Sequence, residues 1–293
     1  MKALKVVESP NNPNMFSIFT AGKDHMINGF QIEKNSKYCI SQVSKMAGHS
    51  NSVESLDASV SLGLLFSGDW NGNILAWDMK PTLDVVANPK SEGPEKKKKK
   101  ITSSLSVSTE IKSVSHLYMI KAHTQAVSGL QVSSSHNSIY TCSYDHTIRI
   151  FDIQQQDCIS TFNSSKVCLS LDSSPRNNLI ATSHPDGKVR IWDSRNPNNT
   201  ESFGAYGSSH SWVARVKWAP DSEFIFSSIS YDGSMHLWDL RSSVPLNTIE
   251  ELHTGKGLCM DWLVESNTSN KEKLHIVTGG SDCMIKSSEA TIY

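Results

Sequence analysis

An all-β propeller, a ring of short radial sheets, is the fold this 293-residue sequence predicts, and three observations predict it. A turn motif returns along the chain, anchored on Asp24, Asn71, Asp145, Asp186, Asp232 and Asp282, at separations of 47, 74, 41, 46 and 50 residues. Most of these separations lie near the period of a four-stranded propeller blade. Each anchor is followed by alternating apolar and polar residues, such as Ile148, Arg149, Ile150, the period-two signature of a strand. A histidine precedes several anchors at a constant interval.

Taken in order, the units run roughly 1–45, 46–121, 122–162, 163–206, 207–252 and 253–293. The first opens directly on an apolar strand, LKVVE (4–8), and carries AGKDHMINGFQI (21–32). The second carries GDWNGNILAWDM (68–79), with Gly48-His49 placed 22 residues before Asn71. The third carries TCSYDHTIRIFDI (141–153), with His123 placed 22 before Asp145. In the fourth, SHPDGKVRIWDS (183–194), Ser164 or Ser165 stands where the histidine is expected. The fifth, SYDGSMHLWDL (230–240), has His210 placed 22 before Asp232. The sixth is worn, GGSDCMIKSSE (279–289), with His253 placed 29 before Asp282 and the polar insertion ESNTSNKEK (265–273) accounting for the excess.

Residues 81–115 break the period. Their enrichment in Pro, Ser and Lys predicts a mobile basic insertion within the second blade. Its run Lys96, Lys97, Lys98, Lys99 and Lys100 has the character of a nuclear-localisation signal or a contact to RNA phosphates, or else of a solvated charge run. Removal of the whole insertion is expected to leave folding intact.

Composition excludes several classes. Lys plus Arg is 28 and Asp plus Glu is 29, so no global field draws nucleic acid or membrane to the chain. Six cysteines occur with no C-x-x-C pair, which argues against a zinc knuckle or a redox dithiol and for reduced thiols. MKALKVVESP lacks a continuous apolar core, and no run of 18 apolar residues occurs, so neither a signal peptide nor a spanning helix is read.

Ser143, Asp145, His146 and His123 are the residue types of nucleophilic hydrolysis. A catalytic set should occur once, however, and these residues recur in partial copies. No G-x-S-x-G, G-x-x-x-x-G-K-[ST], H-E-x-x-H or G-x-G-x-x-G is present, so no enzyme, cofactor, metal or small-molecule substrate is read. His146 occupies a turn position that is Gly in three other units and needs no chemistry.

The residues just before the anchors, among them Trp70, Tyr144 and Tyr231, point to one face of the disc, with Trp212 nearby. Aromatic residues there are candidate partner anchors, the alternative being that each ring packs on its neighbouring blade.

Histidine, turn aspartate and the dipeptides Trp77-Asp78, Trp192-Asp193 and Trp238-Asp239, with Phe151-Asp152 closing the third unit, together resemble the WD-repeat family over nearly the whole chain. The resemblance implies a hydrogen-bonded chain from Trp indole through Ser and His to the turn Asp. That network is complete in His210, Ser230, Asp232 and Trp238 and partial in His123, Ser143 and Asp145. It also implies a seventh blade and a last blade completed by an N-terminal strand. Either six blades close here with an unpaired edge, or the chain is a shortened version of a longer protein; the second is favoured, because an open strand edge is an aggregation liability.

Within that family the chain is most similar to the WD-repeat subunit of the PeBoW ribosome-assembly complex. The stretches that carry the similarity are GHSNSVESLDAS (48–59), SYDHTIRIFD (143–152), SHSWVARVKWAPDSE (209–223) and LWDLRSSVPLNTIEELH (237–253). The similarity implies a scaffold in large (60S) subunit assembly and pre-rRNA processing. The partners implied are the block-of-proliferation protein, pescadillo and the pre-60S particle, and the location is nucleolus and nucleoplasm. The family's ubiquitin-like domain, which engages the ring ATPase midasin, matches nothing here. IWDSR and LWDLR also resemble the box by which some WD proteins dock onto a cullin adaptor, with Arg195 and Arg241 as its contacts; a ubiquitin-ligase receptor is the alternative reading.

Overall fold

Period-two alternation needs a second sheet to bury its apolar face, and the repeats supply one for another. In the computed structural model the chain forms six sheets that pack as the blades of a propeller. The residues described are 2–9, 12, 14–34, 38–83, 111–133, 136–196, 202, 204–207, 211–220, 222–265 and 273–290.

Blade 1 contains β1 (Ala3–Glu8), β2 (Met15–Ala21), β3 (Met26–Lys34) and β4 (Tyr38–Ala47). Blade 2 begins with β5 (Val53–Ser59), β6 (Leu64–Asp69) and β7 (Asn73–Asp78). A helical turn, α1 (Lys80–Leu83), and a short strand, β8 (Lys112–Val114), then lie against blade 1 before β9 (His116–Lys121) completes blade 2. Blade 3 is β10 (Val127–Ser133), β11 (Ser138–Ser143), β12 (Thr147–Asp152) and β13 (Cys158–Asn163). Blade 4 is β14 (Ser170–Ser173), β15 (Leu179–Ser183), β16 (Lys188–Asp193) and β17 (Gly204–Gly207). Blade 5 is β18 (Val213–Trp218), β19 (Ile225–Ser230), β20 (Met235–Asp239) and β21 (Asn247–Ile249). Blade 6 has three strands among the described residues, β22 (Gly257–Glu265), β23 (Lys273–Gly280) and β24 (Ile285–Ala290).

The first strand of each blade is innermost, and these strands pack in succession, β1 on β5, β5 on β10, β10 on β14, β14 on β18 and β18 on β22. Between the blades lie apolar clusters, such as Val7, Phe19, Leu56, Leu75 and Trp77 joining blades 1 and 2. Trp77, Trp192 and Trp238 are among the largest fully buried side chains, so the repeated tryptophan is first a packing residue.

The insertion differs from the expectation at its two ends. Thr82 is fully buried, its hydroxyl 2.8 Å from that of Ser44, and the Gln31 amide donates to the Thr82 carbonyl at 2.5 Å. Strand β8 adds a parallel fifth strand to blade 1 by pairing Ser44–Met46 with Lys112–Val114, and Val114 joins the blade 1–2 core. Leu83 and Val114 bury apolar surface that loop residues would leave in water. Residues 81–83 and 112–114 are therefore structural, and excision of all of 81–115 would cost stability. The lysine run 96–100 lies outside the described residues.

Candidate functional site

The loop entering each innermost strand meets the turn between the second and third strands, and together these form one face of the disc. The turn needs a residue in the left-handed region just after its anchor. Gly72, Gly187 and Gly233 take it with φ of 86, 76 and 84°, and His25, His146 and Cys283 take it with φ of 61, 67 and 61°. Asn and His tolerate this region better than bulky residues do, so His146 is a turn residue, as its register predicted.

The polar network behind this face is complete in blade 2. The Trp77 indole donates to the Ser67 hydroxyl at 2.7 Å, which lies 2.6 Å from His49 Nε2, and His49 Nδ1 lies 3.0 Å from Asp69. Asp69 Oδ1 then accepts the backbone N–H groups of Asn71 and Asn73 at 2.9 Å, closing the turn. Burial works to raise the Asp69 carboxyl, but the bonds from His49 and Asn73 outweigh it and hold it below the usual carboxylate range. The carboxylate therefore sits two residues before the expected anchor Asn71.

Blade 3 repeats the arrangement without an indole. His123 reaches Thr141 at 2.8 Å, Asp145 at 3.0 Å and Thr147 at 3.0 Å. Ser143 is not its partner. That hydroxyl donates to the Gln125 carbonyl at 3.2 Å and accepts the Asp145 N–H at 3.1 Å. No Ser–His–Asp relay exists here, since the hydroxyl on the histidine belongs to Thr141. Burial opposes ionisation of Asp145, yet the His123 and Thr147 bonds depress its carboxyl far below the ordinary range.

Blade 5 shows the same offset. The Trp238 indole donates to Ser228 at 2.9 Å, not to Ser230. Trp238 stands opposite Phe226 and His236 opposite Ser228, so the indole leans to the diagonal neighbour on its own face. Ser230 pairs instead with Val213. Asp232 accepts the Ser234 N–H at 3.0 Å and its hydroxyl at 2.6 Å; His210 lies outside the described residues.

Blade 4 replaces the missing histidine. Trp192 donates to Thr182 at 2.8 Å, Thr182 lies 2.9 Å from His184 Nε2, and His184 Nδ1 lies 2.9 Å from the Val167 carbonyl. Burial, then the Arg190 charge, pushes the His184 pKa down to about 4. The signal was the lone His184 inside SHPDG, which repeat alignment passed over because it looks for the histidine upstream.

The predicted aromatic residues come together in pairs. Trp70 of blade 2 meets Tyr144 of blade 3 edge to face, centroids 5.8 Å apart, and Trp212 stacks on Tyr231 at 5.7 Å. Lys256 of blade 6 places its ammonium 4.9 Å from the Tyr231 ring. Burial, then the charge of Glu54 and the Tyr231 phenol, raises the Tyr144 pKa while Arg215 opposes, so groups from blades 2, 3 and 5 act on one another. The rings pack on their neighbours, and the tyrosines are half-covered, whereas Trp70 and Trp212 remain 46% and 49% exposed. Sequence reasoning missed Lys256, which only the blade order brings beside the Tyr231 ring.

At the opposite ends of the strands, Arg195 and Arg241 each bind the aspartate of their own Trp-Asp pair at 2.6 Å. Among the described residues no cluster of His, Cys, Asp and Glu suits a metal ion, and no helix is long and apolar enough to cross a membrane.

The profile described as "WD domain, G-beta repeat" matches residues 40–78, 114–152, 156–193 and 203–239, just over half of the chain. The chain belongs to the WD40-repeat family. Among curated proteins it is similar to the "Ribosome biogenesis protein WDR12 homolog" of Chlamydomonas reinhardtii, with 28% identity over 93% of this chain and 61% of the relative. The proteins of the same description from Oryza sativa subsp. japonica and Ixodes scapularis are 29% and 31% identical, covering 90% and 84% of this chain and 58% and 55% of theirs. The chain thus spans about three-fifths of the length of these relatives. Two solved structures share the WD40-type fold. "Structure of U3-55K" has a TM-score of 0.67 at 19% identity, covering 98% of this chain and 76% of that one. The computationally designed Ika8 protein has a TM-score of 0.63 at 16% identity, covering 99% and 70%.

Proposed function

We propose that this WD40 protein is a non-enzymatic scaffold in ribosome biogenesis, acting in assembly of the large (60S) subunit and pre-rRNA processing and docking partners through the turn face. The reading rests on similarity over most of the chain to proteins named for ribosome biogenesis. It is supported by a rigid polar network that repeats from blade to blade beneath half-exposed tryptophans. Large aromatic residues held in place by neighbouring rings make good interface anchors, because little side-chain freedom is lost on docking.

The partners this reading names are the block-of-proliferation protein and pescadillo on the pre-60S particle, in nucleolus and nucleoplasm. Lys96 to Lys100 serve as localisation signal or rRNA-phosphate contact. Trp70, Tyr144, Trp212 and Tyr231 are the candidate anchors.

The test is co-sedimentation of the tagged chain with pre-60S particles, together with pull-down of the block-of-proliferation protein. Trp70→Ala with Trp212→Ala is expected to lower recovery of the partner at least tenfold, since each anchor is worth about 2 kcal/mol or more. Unchanged recovery would remove the turn face from the proposal, and absence from pre-60S fractions would remove the ribosomal role.

A further inference from the structure

One position on the innermost strands decides how the joint between two blades is filled. Val132 of β10, Ser173 of β14, Trp218 of β18 and Trp262 of β22 share a register, opposite Ile139, Ile180, Phe226 and Ile276 on the second strands. Trp218 is 3% exposed in the cluster that joins blades 4 and 5, and Trp262 packs in the cluster that joins blades 5 and 6. Val132 packs with blade 2. Ser173 follows Leu171, which packs with blade 3, so alternation turns it the same way, toward the preceding blade. Both indoles end on one kind of acceptor, a main-chain carbonyl of the preceding innermost strand. Trp218 donates to Asp172 at 3.2 Å and Trp262 to Lys217 at 3.3 Å. A buried indole N–H needs such a partner.

With Ser173 in that position, the joint between blades 3 and 4 is not filled. A cavity of about 330 Å³ lies between the β10–β11 and β14–β15 hairpins, bounded by Gln131, Val132 and Tyr140 of blade 3 and by Ser173, Leu179 and Ile180 of blade 4. Small-ligand sites begin at about this volume, roughly 300 Å³. Tyr140 takes up part of the room, since it stands at the register of Ala181 and Ser227 and is larger than either. Its ring is buried and its hydroxyl is turned to Ser133 and Ser194. Otherwise the joint repeats the filled one beside it. The Gln131 carboxamide accepts the Ser173 N–H, as the Asp172 carboxylate accepts the Trp218 N–H at 2.8 Å. Gln131, Asp172 and Lys217 share a register, opposite Tyr140, Ala181 and Ser227. The Gln131 carbonyl thus stands where the other two joints hold the acceptor of an indole.

We propose that the cavity between blades 3 and 4 is a socket for one tryptophan side chain of a partner polypeptide, with its indole N–H given to the Gln131 main-chain carbonyl and its ring laid on Tyr140 and Ile180. The neighbouring joints specify the ligand, because Trp218 and Trp262 show which ring and which bond this place in the blade accepts. The lining specifies its source. Among the described residues around the cavity there is no Asp, Glu, Lys or Arg, so nothing offsets the ammonium and carboxylate of the free amino acid, which a residue within a chain does not carry. Pro175 and Asn177, in the β14–β15 turn, line the cavity, which places it toward the face of the disc opposite the turn face. The socket therefore stands apart from the aromatic anchors of the turn face and does not depend on them.

The probe is N-acetyl-tryptophan methylamide, an uncharged tryptophan residue, titrated into the full chain with its methyl groups isotope-labelled. Saturable NMR shifts are expected at Val132, Leu179 and Ile180, with N-acetyl-alanine methylamide at least about tenfold weaker because it buries no ring. Free tryptophan should bind more weakly than the blocked residue, and a peptide of Gly, Ser and Asn carrying one tryptophan at least as tightly. Ser173→Trp should place an indole of the chain itself in the cavity and abolish the response. If that variant does not fold, Ser173→Leu, which fills part of the space, should weaken the probe at least about fivefold. No saturable shift at these methyls up to the solubility limit of the probe overturns the socket, as does an unchanged response in the folded Ser173 variant. Shifts confined to the turn face around Trp70 and Trp212 overturn it too. Binding of free tryptophan with the peptide excluded overturns the polypeptide as its source.

Discussion

Blades 2 and 6 carry the same turn chemistry and differ in almost everything around it. In each, a histidine bridges a hydroxyl and a carboxylate, His49 to Ser67 and Asp69, and His253 to Thr278 and Asp282. Blade 2 adds the Trp77 indole to the chain, has four strands and lies between two blades. Blade 6 has Ser288 at the tryptophan register, opposite Ile276, and three strands among the described residues. The network therefore builds a turn wherever its three residues occur. In blade 6 the histidine and hydroxyl stay buried, His253 at 1% and Thr278 at 2% exposure, but the Asp282 side chain is 8% exposed where that of Asp69 is 1%.

The largest effect should come from the indole. Trp77→Ala is expected to cost about 3–5 kcal/mol in urea unfolding, the usual range for a fully buried aromatic. Ile285→Ala on blade 6, at 80% exposure, should change stability by less than about 0.5 kcal/mol. Equal costs would break the contrast.

Removing the histidines sharpens it. His49→Ala leaves Asp69 buried at 1% side-chain exposure with its main partner gone, for which about 3 kcal/mol is expected. His253→Ala should cost somewhat less, because the Asp282 side chain, 8% exposed against 1% for Asp69, is left nearer to water. The measurement is unfolding midpoint for both variants on the same chain.

Acid should act next, and at a blade of its own. The folded His184 pKa lies near 4, below its ordinary value of 6.5. The unfolded chain therefore binds the proton first, and the stabilisation is complete above pH 6.5 and is lost as pH falls from there toward 4. At most about 3 kcal/mol is involved. Hydrogen exchange in blade 4 should rise through that window, and His184→Asn should flatten the dependence. Asp69 and Asp145, whose folded values are depressed, contribute above the ordinary carboxylate value of 3.8 and fail only at lower pH, so blades 2 and 3 should outlast blade 4.

The smallest effect tests the missing indole. Phe151→Trp should give Thr141 the donor that Ser67 has, worth about 1 kcal/mol if the ring fits where Phe151 is 3% exposed. A loss instead would show that blade 3 has repacked around the phenyl ring.

Much of this was legible in the residue order. The turn anchors, the left-handed position of His146, the His123–Asp145 contact and the aromatic face follow from a repeat in which position means role. What failed to read followed from diagonal geometry. Ser230 and Ser228 lie on one face of one strand, and only the offset of Trp238 across the hairpin selects Ser228. Asn71 looked like the anchor of blade 2, while Asp69 carries its charge because a carboxylate two residues earlier reaches the same histidine and caps the same turn. The ends of the insertion were unreadable because Thr82 and Val114 gain their burial from blade 1, more than thirty residues away.

The sequence by itself determined the blade, since alternation, turn residues and histidine spacing are local and repeat often enough to be recognised. The tertiary structure alone decided the ring. Which acidic residue finds a backbone N–H, which tryptophan stays half in water and which joint keeps a cavity all depend on the blade next door, and local pattern carries no record of a neighbour.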